Sequence, residues 1–255
     1  RAKSLINNGV DLLVIDTAHG YSKKVLKTLN RIKKISSKIT VCVGNVATGD
    51  AAKKLYNEGA DIIKVGIGPG SICTTRMVAG IGVPQITAII EVKKALKRKK
   101  IKIISDGGIK FSGDAAKALA AGADAIMMGS IFAGTDETPG KKFKVGNKIY
   151  KFYRGMGSIG AMSEGSSERY FQKEHKDRSK YVPEGVEARV RYKGPISKII
   201  YQLQGGLRSS MGYIGAKDLN KIKKNARFIK ITKAGFYESM VHSVEMLNDG
   251  TNYKL

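Results

Sequence analysis

The chain is poor in the residues that several function classes require. It has two cysteines in 255 residues and no CxxC pair. That argues against a disulfide scaffold or a structural zinc site. Its three histidines lie far apart, without ligand spacing, so a histidine-based metal centre has no scaffold. No apolar run reaches about 18 residues, the length of a membrane span. No signal peptide pattern opens the chain, and the cytosol is the expected compartment. Acidic residues are also scarce, 21 against 46 Lys and Arg, for a net charge of +25. Such a charge suits a nucleic-acid binder. Yet the lysines are scattered over expected helix faces, as at Lys23-Lys24, Lys53-Lys54 and Lys93-Lys94, and no nucleic-acid motif accompanies them. The densest run, Lys97-Arg98-Lys99-Lys100, reads as a solvated helix end. Nucleic acid is not the expected main partner.

What is present is organised around one stretch, Gly66-Ile67-Gly68-Pro69-Gly70-Ser71-Ile72-Cys73-Thr74-Thr75-Arg76. It follows the apolar run Asp61-Ile62-Ile63-Lys64-Val65, which reads as a buried strand. Glycines at alternate positions let the backbone turn sharply and approach a ligand or ion. A single thiol at such a strand end suggests a site; the plainer alternative is a Gly-rich turn over a buried cysteine. The loop is GxGxG with no acidic residue about 20 positions on, so the dinucleotide fingerprint of a Rossmann fold is absent.

A repeated unit runs through the first half: a helix ending in Gly, an apolar strand, then a Gly-containing polar loop. Gly9-Val10-Asp11, Gly59-Ala60-Asp61 and Gly122-Ala123-Asp124 each close a helix and open a strand. Strands are expected at 12–15, 39–43, 61–65, 101–105 and 125–128, and helices at 21–35, 49–57, 85–99 and 112–121. Apolar strands each followed by a helix predict a parallel sheet buried on both faces. The polar special residues all follow strands, as in a (β/α)8 TIM barrel, where the strands' C-terminal ends carry the site. A doubly wound sheet is the alternative. A barrel needs eight strands. The chain, which opens at Arg1 inside an expected helix, is therefore read as about the last five β/α units, with three strands expected upstream.

After residue 136 the pattern breaks. Residues 136–195 are expected to form a hairpin (141–152) and a long polar flap, roughly 163–182, inserted after the last barrel strand. A segment of that length without its own core is either disordered or a functional lid. A helix over 195–212 ending at Gly205-Gly206, a helix over 216–226 and a strand over 227–231 complete the reading.

Several of these residues suit particular chemistry. Gly107-Gly108 and Gly129-Ser130 can offer backbone N–H groups to a phosphate, though ordinary βα turns look the same. Asp16 and Asp106 each end a strand, where a carboxylate can hold a ribose diol. Cys73 is a candidate covalent nucleophile, whereas Cys42, in Thr40-Val41-Cys42-Val43, reads as an inert core thiol. No Ser-His-Asp spacing is present.

These segments together resemble one family, the inosine-5′-monophosphate dehydrogenases. The similarity rests on the Cys73 loop, Asp16-Thr17-Ala18-His19-Gly20, Gly44-Asn45-Val46-Ala47-Thr48, Ser105-Asp106-Gly107-Gly108-Ile109, Met128-Gly129-Ser130 and Tyr153-Arg154-Gly155-Met156-Gly157-Ser158. The resemblance implies a single TIM-barrel catalytic domain over 1–255, with the family's upstream strands and regulatory CBS domains outside this chain. It implies NAD-dependent oxidation of inosine monophosphate (IMP) through a covalent Cys73 thioimidate. Hydrolysis would follow, by water activated by Arg169, with Tyr170 beside it on a mobile flap and Thr75 orienting the water.

By the same match Ser71, Gly107, Gly108, Gly129, Ser130 and Tyr153 would hold the phosphate, and Asp106 the ribose. Arg154, Gly155, Met156, Gly157 and Glu184 would surround the rest of the nucleotide. Asp16, Asn45, Gly66, Ile67 and Gly68 would meet the dinucleotide. Carbonyls of Gly68, Gly70 and Cys73 would bind K⁺, completed by Glu238, Ser239 and Met240 of a neighbouring subunit in a homotetramer. Many bacterial members carry His where Met240 stands. Guanosine-5′-monophosphate (GMP) reductase, NADPH-dependent, is the near rival; it lacks the Arg-Tyr flap and the Arg-Gly-Met-Gly-Ser stretch. A basic nucleic-acid-binding protein is the rival from another class.

Overall fold

The computed structural model describes residues 1–174 and 177–247. Residues 175 and 176, inside the expected flap, lie outside the described residues, as do those beyond 247. The chain opens with α1 (Ala2–Asn7), β1 (Leu12–Asp16), α2 (Lys23–Ile35), β2 (Thr40–Val46), α3 (Gly49–Asn57) and β3 (Ile62–Val65). It continues through α4 (Thr75–Val78), α5 (Gln85–Ala95), β4 (Lys102–Asp106), α6 (Ser112–Ala121) and β5 (Ala125–Met127). A second region holds β6 (Lys142–Val145), β7 (Lys148–Arg154), the short α7 (Ile159–Ala161) and β8 (Glu187–Arg191). Three helices follow: α8 (Ile196–Tyr213), α9 (Leu219–Asn225) and α10 (Lys233–Glu238).

The repeat is visible in backbone terms. Gly9, Gly59 and Gly122 take φ of 78°, 97° and 126° after α1, α3 and α6. Each supplies the left-handed turn that a side chain resists and redirects the chain into the next strand. Ser22 and Thr48 accept hydrogen bonds from Val25 and Ala51 and so cap the next helices.

The five strands β1 to β5 pair in parallel and in chain order. This consecutive order, without the reversal that defines a doubly wound sheet, is an arc of a barrel wall. The helices cover one face. Leu13, Ile15, Val41, Val43, Ile63, Val65 and Ile103 pack there against Val25, Leu29, Leu55, Ala88, Ile89 and Val92. On the other face Cys42 and Lys64 are buried, while Leu12, Val14 and Met127 are partly exposed. The expectation of a sheet buried equally on both faces is corrected accordingly. Helices α8 and α9 pack on α6. No helix among the described residues is long and apolar enough to cross a membrane.

Other expectations are corrected in detail. β2 runs through Gly44 and Asn45, which had been read as loop. Gly205 and Gly206 lie inside α8, which stops only before Gly215 (φ 61°). α5 ends at Ala95 and α9 begins at Leu219. Residues 227–231 are not a strand; they run irregularly into α10. The hairpin β6–β7 turns at Gly146 (φ 57°), and β8 adds an unanticipated third antiparallel strand.

Candidate active site

The C-terminal ends of β1 to β5 lie side by side, because the strands are parallel. Above them is a cavity of about 290 Å³. The Cys73 loop forms one wall with Gly66, Ile67, Gly68, Gly70, Cys73 and Thr75. Asn45, Asp106 and Gly107 form the floor, and Tyr153, Arg154, Gly155, Met156 and Gly157 a second wall. Arg169, Tyr170 and Glu184 close it. Residues about a hundred positions apart in the chain thus meet in one cleft.

Glycine is required at Gly66 by close approach. Its φ is 148°, and a Cβ there would lie 2.2 Å from the Asp106 carbonyl oxygen. The loop then crosses β4's end tightly enough for Gln85 to donate to the carbonyl of Val65 (2.8 Å) and the Ser105 hydroxyl (3.0 Å). Cys73 bridges to Gly185, with Thr74 donating to the Glu184 carbonyl and Val186 to that of Ile72. These bonds fasten the thiol loop to the return segment of the flap.

Around the thiol a relay is assembled. Cys73 Sγ donates to Thr75 Oγ1 at 3.2 Å, and Thr75 Oγ1 donates to Glu184 Oε2 at 2.7 Å. A carboxylate is therefore connected through one hydroxyl to the nucleophile candidate. The Tyr170 ring lies over Gly157, where a Cβ would come within 2.8 Å of it. Burial pushes the Tyr170 hydroxyl up and Arg169's charge pulls it back only in part, so it stays protonated.

Arg169 reaches into the cleft, its side chain 18% exposed, and Nη1 lies 2.6 Å from Asp16 Oδ2. Burial alone would lower its pKa, but the hydrogen bond and charge of Asp16 outweigh this and raise it. In this arrangement the guanidinium is held charged. Burial would raise Asp16, but Arg169 and Lys64 carry it below the ordinary carboxylate value. Outside the cleft Glu168 pairs with Lys24 of α2 and, at 3.6 Å, with Lys173.

Of the phosphate candidates, Gly107 lines the cleft, Gly108 and Ser130 do not, and Ser71 and Gly129 lie against Tyr153. Its hydroxyl, pushed up by burial, bonds Ser71 and lies 3.1 Å from where a Gly129 Cβ would be. Gly107 and Gly108 follow β4 with φ of 88° and 80°. The Ser130 carbonyl accepts from Lys193 at 3.1 Å. Arg154 lines the cleft, and its guanidinium pairs with Glu164.

Asn45 is buried, and its Oδ1 has no hydrogen-bond partner among the described residues. A free acceptor at the cleft floor fits an amide N–H donor such as the carboxamide of a nicotinamide. For a monovalent cation, the carbonyls of Gly68, Gly70 and Cys73 are suitable hard oxygens, and Gly70's already accepts the Cys73 amide at 3.1 Å. Glu238, Ser239 and Met240 end α10 and do not line this chain's cleft. No His, Cys, Asp and Glu cluster that could hold a metal occurs among the described residues.

One charged residue escaped the sequence reading. Lys64 is buried in β3 and pairs with both Asp16 and Asp106. Its only signal was a lysine interrupting an apolar strand.

A family model described as the IMP dehydrogenase / GMP reductase domain matches residues 1–242. The inosine-5′-monophosphate dehydrogenase of Rhizobium tropici is 55% identical over 244 residues, covering 96% of this chain and 49% of that one. That of Cryptosporidium parvum is 54% identical over 253 residues (99% and 63%), and that of Bacillus subtilis 52% over 255 residues (100% and 52%). The chain thus spans about half the length of most of these relatives. A crystal structure of a GMP reductase variant from Trypanosoma brucei, in complex with guanosine 5′-monophosphate, superposes with a TM-score of 0.87 at 41% identity, covering 96% of this chain and 50% of that one. On this match the five-strand arc is part of a TIM barrel, and the chain belongs to the IMP dehydrogenase / GMP reductase family.

Proposed function

We propose that the protein containing this chain oxidises IMP to xanthosine monophosphate with NAD⁺, as a cytosolic homotetramer activated by K⁺. The observation that carries the reading is the convergence of Cys73, the Thr75–Glu184 relay and Arg169 in one cleft. Cys73 Sγ bonds to C2 of the purine as its proton is released to solvent, and the hydride from C2 leaves to the dinucleotide, which supplies the two-electron acceptor. The resulting thioimidate is hydrolysed by one water, which releases the thiol and the 2-oxo product.

The chain's own groups divide this work. Ser71, Gly107, Gly108, Gly129, Ser130 and Tyr153 orient the phosphate, and Asp106 the ribose. Arg154, Gly155, Met156 and Gly157 enclose the base. Asp16, Asn45, Gly66, Ile67 and Gly68 face the dinucleotide. The cation rests on carbonyls of Gly68, Gly70 and Cys73, with Glu238, Ser239 and Met240 supplied by a neighbouring subunit. For hydrolysis, Arg169 seats and polarises the water. Its buried Nε–H has no partner among the described residues, which suits a donor held ready for an oxygen. Because the guanidinium is held charged, the proton goes through Thr75 to Glu184 in this arrangement, rather than onto Arg169.

The structural neighbour favours GMP reductase as the second reading. The Arg169-Tyr170 flap and its pairing with Asp16 favour the dehydrogenase, since reductive deamination needs no water-activating step. Full-length enzyme mixed with IMP and NAD⁺ should produce NADH absorbance, faster with K⁺ than without. Absence of NADH, with NADPH consumed in the presence of GMP, would replace this reading with the reductase.

A further inference from the structure

The cleft's walls rest on a group that does not itself line it. Lys64 projects from β3 on the face away from the helices, and its side chain is 2% exposed. Space for its stem is made by Gly44 on β2, where a Cβ would collide with Lys64 Cβ at 2.6 Å. The ammonium lies 2.9 Å from Asp16 Oδ1 and also bonds Asp106 Oδ2. Asp106 Oδ2 receives a second bond from Asn45 Nδ2 at 3.0 Å. Asp16 turns its other oxygen, Oδ2, to Arg169. A continuous line of alternating charge therefore runs from Asp106 through Lys64 and Asp16 to Arg169.

We propose that Lys64 is a positioning residue, which fixes the Asp16 carboxylate so that one oxygen faces the flap arginine and ties that carboxylate to Asp106 beneath the nucleotide. The ribose part of this role rests on the proposed dehydrogenase reading; the flap part does not. The physical case is direct. A buried ammonium is costly unless paired, and here two carboxylates from non-adjacent strands satisfy it. Without it, Asp16 and Asp106 become like charges on one side of the sheet, and Asp16 loses the contact that sets its rotation. The titratable and charged groups facing the cluster are Asp16, Asp106, Arg169, the Tyr170 hydroxyl and the Cys42 thiol. Burial pushes Cys42 up to about 11, so it adds no charge at neutral pH.

The test is cleavage of the flap by trypsin after exposed Lys173, Arg178 and Lys180, in the full-length protein without ligands. Wild type is expected to be protected by the Asp16–Arg169 pair. Lys64→Met should be cut about tenfold faster, the size of one lost charge-assisted hydrogen bond. Lys64→Arg should keep the protection, because it keeps the charge. Asp16→Asn should be cut as fast as Lys64→Met, and the double variant no faster than either, since both act through one carboxylate. The acid limb of flap protection should also move to higher pH in Lys64→Met, because one of the cations holding Asp16 down is gone. Circular dichroism checks folding; should Lys64→Met not fold, Lys64→Gln carries the same comparison. Wild-type protection in the neutral Lys64 variant, alongside loss of protection in Asp16→Asn, would overturn the proposal. The cleavage assay uses no substrate. A wild type with a protected flap but no NADH from IMP would therefore reject the dehydrogenase reading and leave the Lys64 role standing.

Discussion

Replacing Arg169 with Ala separates the two chemical steps of the proposed cycle. The hydride step needs Cys73, whose thiol bonds to Thr75. The hydrolytic step needs the flap seated by Arg169, 2.6 Å from Asp16. A hydrogen bond between charged partners contributes about 1.5–3 kcal/mol. Since Asp16 is 47% exposed, the lower end applies, which corresponds to about a tenfold loss of flap closure. Loss of the water-polarising group adds a factor of about 10²–10⁴, the usual range for positioned proton-transfer groups. Stopped-flow absorbance should therefore show a burst of NADH, one per site at near wild-type rate, followed by steady turnover slowed by at least about a hundredfold. Mass spectrometry of the quenched enzyme should show the Cys73 adduct accumulating. If the burst disappears in proportion to the steady state, Arg169 belongs to binding and the division of labour is refuted.

Cys73→Ala should abolish NADH formation altogether, and substantial residual turnover would sink the covalent route. Glu184→Gln keeps the bond to Thr75 but cannot take a proton; steady turnover should fall by about 10²-fold or more, and unchanged turnover would remove Glu184 from the relay. Gly66→Ala drives a methyl against the Asp106 carbonyl at φ 148°. It should cost about 1–3 kcal/mol, read as a lower Tm, and an unchanged Tm would contradict the close approach. Asp16 has a lowered folded pKa. The stabilisation of the closed flap is thus fully present above the ordinary carboxylate value of about 3.9 and is lost as pH falls through the lowered one. Trypsin protection, read after acid exposure and return to neutral pH on a fast timescale, should hold from about pH 7 to 5 and fail only below about 4; failure already between 7 and 5 would refute the pairing.

The parts of this fold legible in the sequence were those set by local backbone chemistry. Gly9, Gly59 and Gly122 sit where positive φ is needed, so the helix-to-strand rhythm could be read directly. Strand-end positions followed, because parallel strands put all their C-terminal ends at one edge. What escaped depends on distant partners. Lys64 reads as a blemish in an apolar strand until Asp16 and Asp106, each more than forty residues away in the chain, are placed beside it. Residues 227–231 alternate like a strand but pair with no strand among the described residues, whereas 187–191, with three charged residues, pair with β7. The glycines inside α8 were misread as a stop because composition does not reveal φ. The stop is at Gly215, where φ is positive. Arg169 was nameable only by resemblance, since an isolated flap arginine is indistinguishable from a solvated one until its carboxylate is known.

The placement of that carboxylate bears on the order of events. Asp16 offers one oxygen to Lys64 and one to Arg169. The residue expected to face the dinucleotide is thus fully engaged when the flap is seated. On the proposed reading, a seated flap therefore competes with the dinucleotide for Asp16, because Arg169 already pairs with its Oδ2. On the proposed reading, hydride transfer must finish and the dinucleotide must leave before Arg169 can reach Asp16. The covalent bond to Cys73 is what keeps the purine in place during that exchange.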